Sequence, residues 1–206
     1  MEKSSYPGKF IVFEGLDGAG QSTQTEILAD FLKKNGYRVL KTKEPTGRAG
    51  AGKLIRKILD KKENLSPEKL QELFAQDRQW HLRHVVIPAL KQGKIVISDR
   101  YFFSSFSYGM AEGLNLEKLI KLNEKFLLPN LVFFLDVEPR ICLKRIKERG
   151  REKTLFEKQE KLKKVYQNYK KIMKKFKHLT KIYSISGERS IKKVSEDIKK
   201  IIFSKL

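Results

Sequence analysis

The sequence predicts an α/β fold, a five-stranded parallel sheet flanked by helices, in a single domain over residues 1–206. Short apolar runs alternate with longer stretches of helical patterning from end to end, the order expected when helical crossovers join parallel strands. The main runs are continuously apolar rather than alternating, as strands covered on both faces require. The sequence shows no internal repeat, linker or domain boundary, and its length suits one domain.

The elements follow in order. Phe10–Phe13 (FIVF) reads as a buried strand, followed by a Gly-rich turn and a helix from about Ser22 to Lys34. Asn35-Gly36 ends that helix, since both residues tolerate a left-handed terminus. Arg38–Thr42 is the second strand. The loop EPTGRAGAG (44–52) is expected to be irregular because of its Pro and Gly content. Ser66-Pro67 starts the next helix, with Ser as cap and Pro in the first turn. It runs towards Gln92, with a kink or break at Pro88. Lys94–Ser98 and Leu131–Leu135 are further buried strands. Pro139 opens a helix to about Glu148, a basic stretch surrounds Gly150, and another helix reaches about Lys177. Ile182–Ile185 is the fifth strand, and Ser190 caps a final amphipathic helix.

Composition narrows the function classes. Hydrophobic residues make up 40% of the chain, which argues against a fully disordered protein. The single Cys, Cys142, excludes an intramolecular disulfide framework and a Cys-cluster zinc site. His81, His84 and His178 show no metal-binding spacing, and the first two read as ordinary helix residues. No apolar run approaches the roughly 18 residues of a membrane span, and MEKSSYPGK lacks a signal-peptide core. A soluble, cytoplasmic protein is expected. The formal charge is +21, from 45 Lys and Arg against 24 Asp and Glu. It is concentrated late: residues 141–206 hold 22 basic and 7 acidic side chains. Such a field attracts phosphorylated molecules. Solvated, lysine-rich helix faces account for most of it, so a nucleic-acid partner is not expected.

The clearest motif lies directly after the first strand: Gly15, Leu16, Asp17, Gly18, Ala19, Gly20, Gln21, Ser22 and Thr23. It fits the phosphate-loop pattern G-x-x-x-x-G-K-[ST] except at Gln21, which stands where lysine is expected. Backbone N–H groups and the start of the following helix would receive phosphate oxygens, with the Ser22 hydroxyl on Mg²⁺. A lost charge-assisted bond costs about 1.5–3 kcal/mol, or about 10- to 150-fold if fully expressed in the transition state. Another cation then supplies the charge, or the protein is slow or inactive.

Beyond this loop the chain resembles the thymidylate kinases over nearly its whole length. FIVFEGLDGAGQSTQ is similar to that family's opening, apart from Gln21. KEPT (43–46), GKLIR (52–56), LFAQDRQWH (73–81), SDRYFFSS (98–105) with Tyr108, LDVEP (135–139), RIKERG (145–150) and FEK (156–158) resemble its later motifs, in order. The resemblance implies a phosphate-loop kinase fold with a small basic lid at about 145–157, ATP as donor, Mg²⁺, dTMP as acceptor, and a homodimer. It implies that Asp17 meets the 3′-hydroxyl and Arg100 the acceptor phosphate, joined by Arg56. Asp99 acts near Mg²⁺, and Glu44 organises metal and water. Phe74 stacks on the base, Arg78 bonds its carbonyl edge, and Ser105 approaches it. Tyr108 lies against the sugar 2′ carbon. Arg145, Arg149 and Arg151 are the lid cations. This sequence departs from the family pattern at Gln21, Gly109, Glu112 and Leu155. The alternatives are a catalytically impaired nucleotide-binding regulator and a kinase for another nucleoside monophosphate.

Overall fold

The FIVF run lies inside strand β2 (Lys9–Gly15), which follows the two-residue strand β1 (Glu2–Lys3). After Lys9 every residue of β2 is buried. The structure is a computed structural model describing residues 1–48, 50–60, 63, 65–148 and 155–205. Helix α1 (Gln21–Lys34) leads to β3 (Val39–Lys43), and α2 (Ala51–Leu59) to α3 (Pro67–His81). Ser66 caps α3, its hydroxyl accepting from the Lys69 N–H at 3.4 Å. Helix α3 runs through a π-helical turn (Leu82–Val86) into α4 (Ile87–Lys91). Pro88 therefore does not end the helix. The widened turn precedes it, where a proline lacks its N–H and its ring crowds the preceding turn.

Strand β4 (Ile95–Asp99), helices α5 (Phe102–Ala111) and α6 (Leu116–Asn123), and strands β5 (Leu127–Leu128) and β6 (Leu131–Asp136) follow. Helix α7 (Pro139–Glu148), helix α8 (Leu155–Phe176), strand β7 (Lys181–Ser186) and helix α9 (Ile191–Phe203) complete the chain. The main sheet has five strands in the order β3-β4-β2-β6-β7. All of its pairings are parallel, and β1 pairs with β5 separately. The inner strands are buried almost throughout, whereas edge strands β3 and β7 are partly exposed. Aromatic residues fill one face, where Phe102, Phe103 and Phe106 of α5 meet Phe176 of α8.

The loop expected to be irregular over 44–52 ends sooner, because α2 already starts at Ala51. A Cβ on Gly52 would sit 2.5 Å from Asp77 Oδ1, so only glycine lets α2 approach α3 this closely. Register sets Phe13 beside Asp99 and Gly15 beside Leu135. The carboxyl ends of β2, β4 and β6 thus open together, the usual ligand-binding edge of such a sheet. Among the described residues, no helix is long and apolar enough to cross a membrane.

Candidate active site

The turn after β2 folds back on itself before α1 begins. Gly18 and Gly20 have positive φ values of 88° and 105°, a backbone region that side chains disfavour. Helix α1 then starts at Gln21 with no acidic residue in its first turn and no side-chain cap, leaving its N–H groups open to an anion. The Gln21 side chain is buried, and its Nε2 donates to the carbonyls of Gly15 at 2.7 Å and Leu16 at 3.0 Å. Next to it, Ser22 Oγ donates to Asp99 Oδ2 at 2.5 Å. The two residues expected at the metal therefore meet, although 77 positions separate them.

Arg100 begins the chain's exit from β4 with a φ of 74°. That conformation is strained for a residue with a side chain. It is fixed by the Arg100 N–H on Phe13 O (2.9 Å) and by Ser98 Oγ on Arg100 O (2.8 Å). Its Nη2 donates to Asp17 Oδ1 at 2.7 Å, and the Tyr108 hydroxyl donates to the other Asp17 oxygen at 3.0 Å. Burial opposes the charge on Arg100, but Asp17, Tyr108, Tyr169 and Asp99 together hold its pKa above the ordinary value. Burial pushes the Tyr108 phenol up as well, with Asp17 adding to the shift. Asp17, Arg100 and Tyr108 form one constellation.

These three border a cavity of about 150 Å³ that Phe74, Arg78, Tyr101, Ser104 and Ser105 also line. Arg78 is buried on the inner face of α3. Its Nε donates to Glu44 (2.8 Å), its Nη1 to Asn123 (2.5 Å) and its Nη2 to Ser105 Oγ (3.1 Å). Glu44 lines the cavity too, with one carboxylate oxygen on Arg78. Its second oxygen lies 2.9 Å from His81 Nδ1. His81 is buried between Glu44 and the Thr42 hydroxyl, 2.7 Å from its Nε2, a role its place in an ordinary helical pattern did not signal. Arg56 is exposed on α2 and does not line the cavity.

On the far side of the phosphate loop, Gly18, Ala19, Gly20, Thr23, Gln24 and Arg145 line a second cavity of about 210 Å³. Arg145 Nη2 donates to Gly187 O at 2.9 Å. A third space of about 350 Å³ opens beside Ser22 and Asp99, towards Lys41, Lys43, Arg48 and Trp80. Arg149 and Arg151, expected in the lid, lie outside the described residues. The side chain of Leu155 does too.

A phosphate loop, a Ser–Asp oxygen pair at its mouth and an arginine-lined cavity on one flank are the parts of a phosphoryl-transfer site. Residues 13–198 match the family described as thymidylate kinase. The chain belongs to the thymidylate kinase family. It is 46% identical over 191 residues to a probable thymidylate kinase of Thermococcus onnurineus, covering 88% of this chain and 92% of that one. A probable thymidylate kinase of Thermococcus gammatolerans is 43% identical, with 93% and 94% covered. A thymidylate kinase of Caldicellulosiruptor saccharolyticus is 38% identical, with 95% and 96% covered. The chain is a phosphotransferase of this family.

Sequence reasoning missed Glu14, Ser104, Asn123 and Tyr169, which brace the site. Glu14 was visible as an anomaly: a carboxylate in an otherwise apolar buried strand needs partners.

Proposed function

We propose that the protein transfers the γ-phosphoryl group of ATP to dTMP, giving ADP and dTDP. The Asp17–Arg100–Tyr108 constellation carries the reading, since it joins the phosphate loop directly to the cavity lined by Phe74 and Arg78. Loop N–H groups and the start of α1 receive the donor phosphates, and the cavity beside Arg145 takes the donor base. Arg100 holds the acceptor phosphate, a task suited to a planar bidentate donor, and Arg56 is a second cation assigned to it. Asp17 accepts from the 3′-hydroxyl, Tyr108 crowds the 2′ position, and Phe74 stacks on the thymine. Arg78 is held by Glu44, Asn123 and Ser105, and its remaining N–H groups face a base carbonyl. Arg149 and Arg151, which the family resemblance assigns to the lid, supply further positive charge for the donor phosphates.

Little covalent chemistry is asked of the protein, which aligns two phosphates and screens their charge. Ser22 Oγ and Asp99 Oδ2 are hard oxygen donors 2.5 Å apart, a set that suits Mg²⁺ completed by water and phosphate. When bound there, the ion neutralises charge between the phosphates.

Purified protein with Mg-ATP should phosphorylate dTMP in preference to dUMP, UMP and dCMP, and EDTA should abolish the reaction. Nucleotide binding without dTDP formation would identify an impaired regulator instead. Preference for another monophosphate would reassign the substrate. The homodimer implied by the family is tested by equilibrium sedimentation. A cytoplasmic location accords with a substrate pair of free nucleotides.

A further inference from the structure

Glu14 is fully buried at the end of the apolar run in β2. A buried carboxylate persists only with partners, and Glu14 has four. Its Oε1 accepts from the backbone N–H groups of Tyr101 (2.8 Å) and Ser104 (3.3 Å). Its Oε2 accepts from the hydroxyls of Ser104 (2.6 Å) and Tyr169 (3.0 Å). Both hydroxyl oxygens also receive Arg100, whose Nη1 donates to Ser104 Oγ at 3.0 Å and to Tyr169 OH at 3.3 Å, beside its bond to Gly15 O at 2.9 Å. Tyr169 arrives from α8 and stacks on Phe134 of β6, ring centroids 5.4 Å apart.

The directions of these bonds are constrained. A guanidinium can only donate. For Ser104 and Tyr169 to accept from it, each hydroxyl must send its own hydrogen elsewhere; Glu14 Oε2 is an acceptor that both reach, and the two hydroxyls, 2.8 Å apart, also reach each other. With Glu14 ionised and both hydroxyls donating to it, two oxygen lone pairs are left facing Arg100. A proton on Glu14 would sit on Oε2, because Oε1 faces two backbone donors, and would compete with Arg100 for those lone pairs. The groups facing Glu14 are Arg100 and Tyr101 after β4, Ser104 on α5 and Tyr169 on α8. Asp17 and Tyr108 lie beyond Arg100.

We propose that Glu14 and Tyr169 are positioning residues for the acceptor phosphate: the Glu14 carboxylate, through the Ser104 and Tyr169 hydroxyls, holds Arg100 in its bonding orientation. Tyr169 ties that orientation to α8. The strained backbone of Arg100 fits this assignment, since such a conformation survives where its surroundings over-determine it. The inference rests on the reading of Arg100 as the residue that holds the acceptor phosphate.

Calorimetric titration of the whole protein with dTMP and, separately, with ATP tests it. Tyr169→Phe keeps the ring on Phe134 and removes one hydroxyl. It should raise the dTMP Kd about 5- to 10-fold while leaving the ATP Kd within about twofold. Glu14→Gln should act in the same direction. In an Arg100→Ala background, Tyr169→Phe should have no further effect on dTMP, because the relay has lost its end point. Unchanged dTMP binding in both single variants would overturn the relay alone, as would an equal loss for dTMP and ATP. Failure of the unaltered protein to bind dTMP would remove the reading of Arg100 and the relay with it.

Discussion

The side-chain amide of Gln21 donates to the carbonyl oxygen of Gly15 at 2.7 Å. With a second bond to Leu16, it closes the phosphate loop from inside, at the position where the family pattern has lysine. The departure therefore substitutes a neutral brace for a mobile charge.

With Arg149 and Arg151 proposed as the cations that supply this charge, Gln21→Lys is expected to leave kcat level or lower. Initial rates at saturating ATP and dTMP measure this. A gain approaching the about 10- to 150-fold worth of a charged bond would mean that the loop simply lacks a cation.

Arg100→Ala should lower kcat/KM for dTMP by about 100-fold or more, since bidentate charged bonds are lost. The KM for ATP should move only a few-fold. Equal damage to both substrates in steady-state kinetics would show that Arg100 supports the fold rather than the acceptor.

Asp99→Asn keeps the shape of the Ser22 contact but removes the charge that attracts a divalent cation. The Mg²⁺ concentration giving half-maximal rate should rise about tenfold or more. A rate curve that superimposes on that of the unaltered protein would place the metal elsewhere.

Glu14 links stability to pH. Burial pushes its carboxyl from the ordinary 4.5 up to about 7, against the pull of Arg100, Ser104, Tyr169 and Tyr101. Between those values the folded protein keeps a proton that the unfolded chain releases. The stabilisation is thus fully present below pH 4.5 and is lost as pH rises through about 7. Its size is about 3 kcal/mol. Urea unfolding across this range should show the unaltered protein losing stability relative to Glu14→Gln as pH increases. Parallel curves would refute the assignment. The ionised form that serves Arg100 is the form the fold favours less.

Much of the fold was legible because buried parallel strands leave few other readings. FIVF, KIVIS and LVFFL all fall within a residue or two of β2, β4 and β6. Helix α5 was not legible, since Phe102, Phe103, Ser105, Phe106 and Ser107 are all buried and such a helix has little polar face to set its period. The phosphate loop could be read as a motif, and Gln21 as its departure. The direction of the Gln21 side chain could not, because it depends on which carbonyls the folded loop presents. The same holds for Glu44 and His81, whose partnership joins a loop to a helix 37 residues away.

The order of the sheet has a consequence for biosynthesis. The first of its five strands to leave the ribosome, β2, is also its centre, and both neighbours come much later in the chain. At typical translation speeds β4 follows on the order of ten seconds behind, and β6 later still. Until then the apolar strand that carries the phosphate loop has neither hydrogen-bonding edge covered by its own sheet. The nascent protein must shelter its future active site before it can build it.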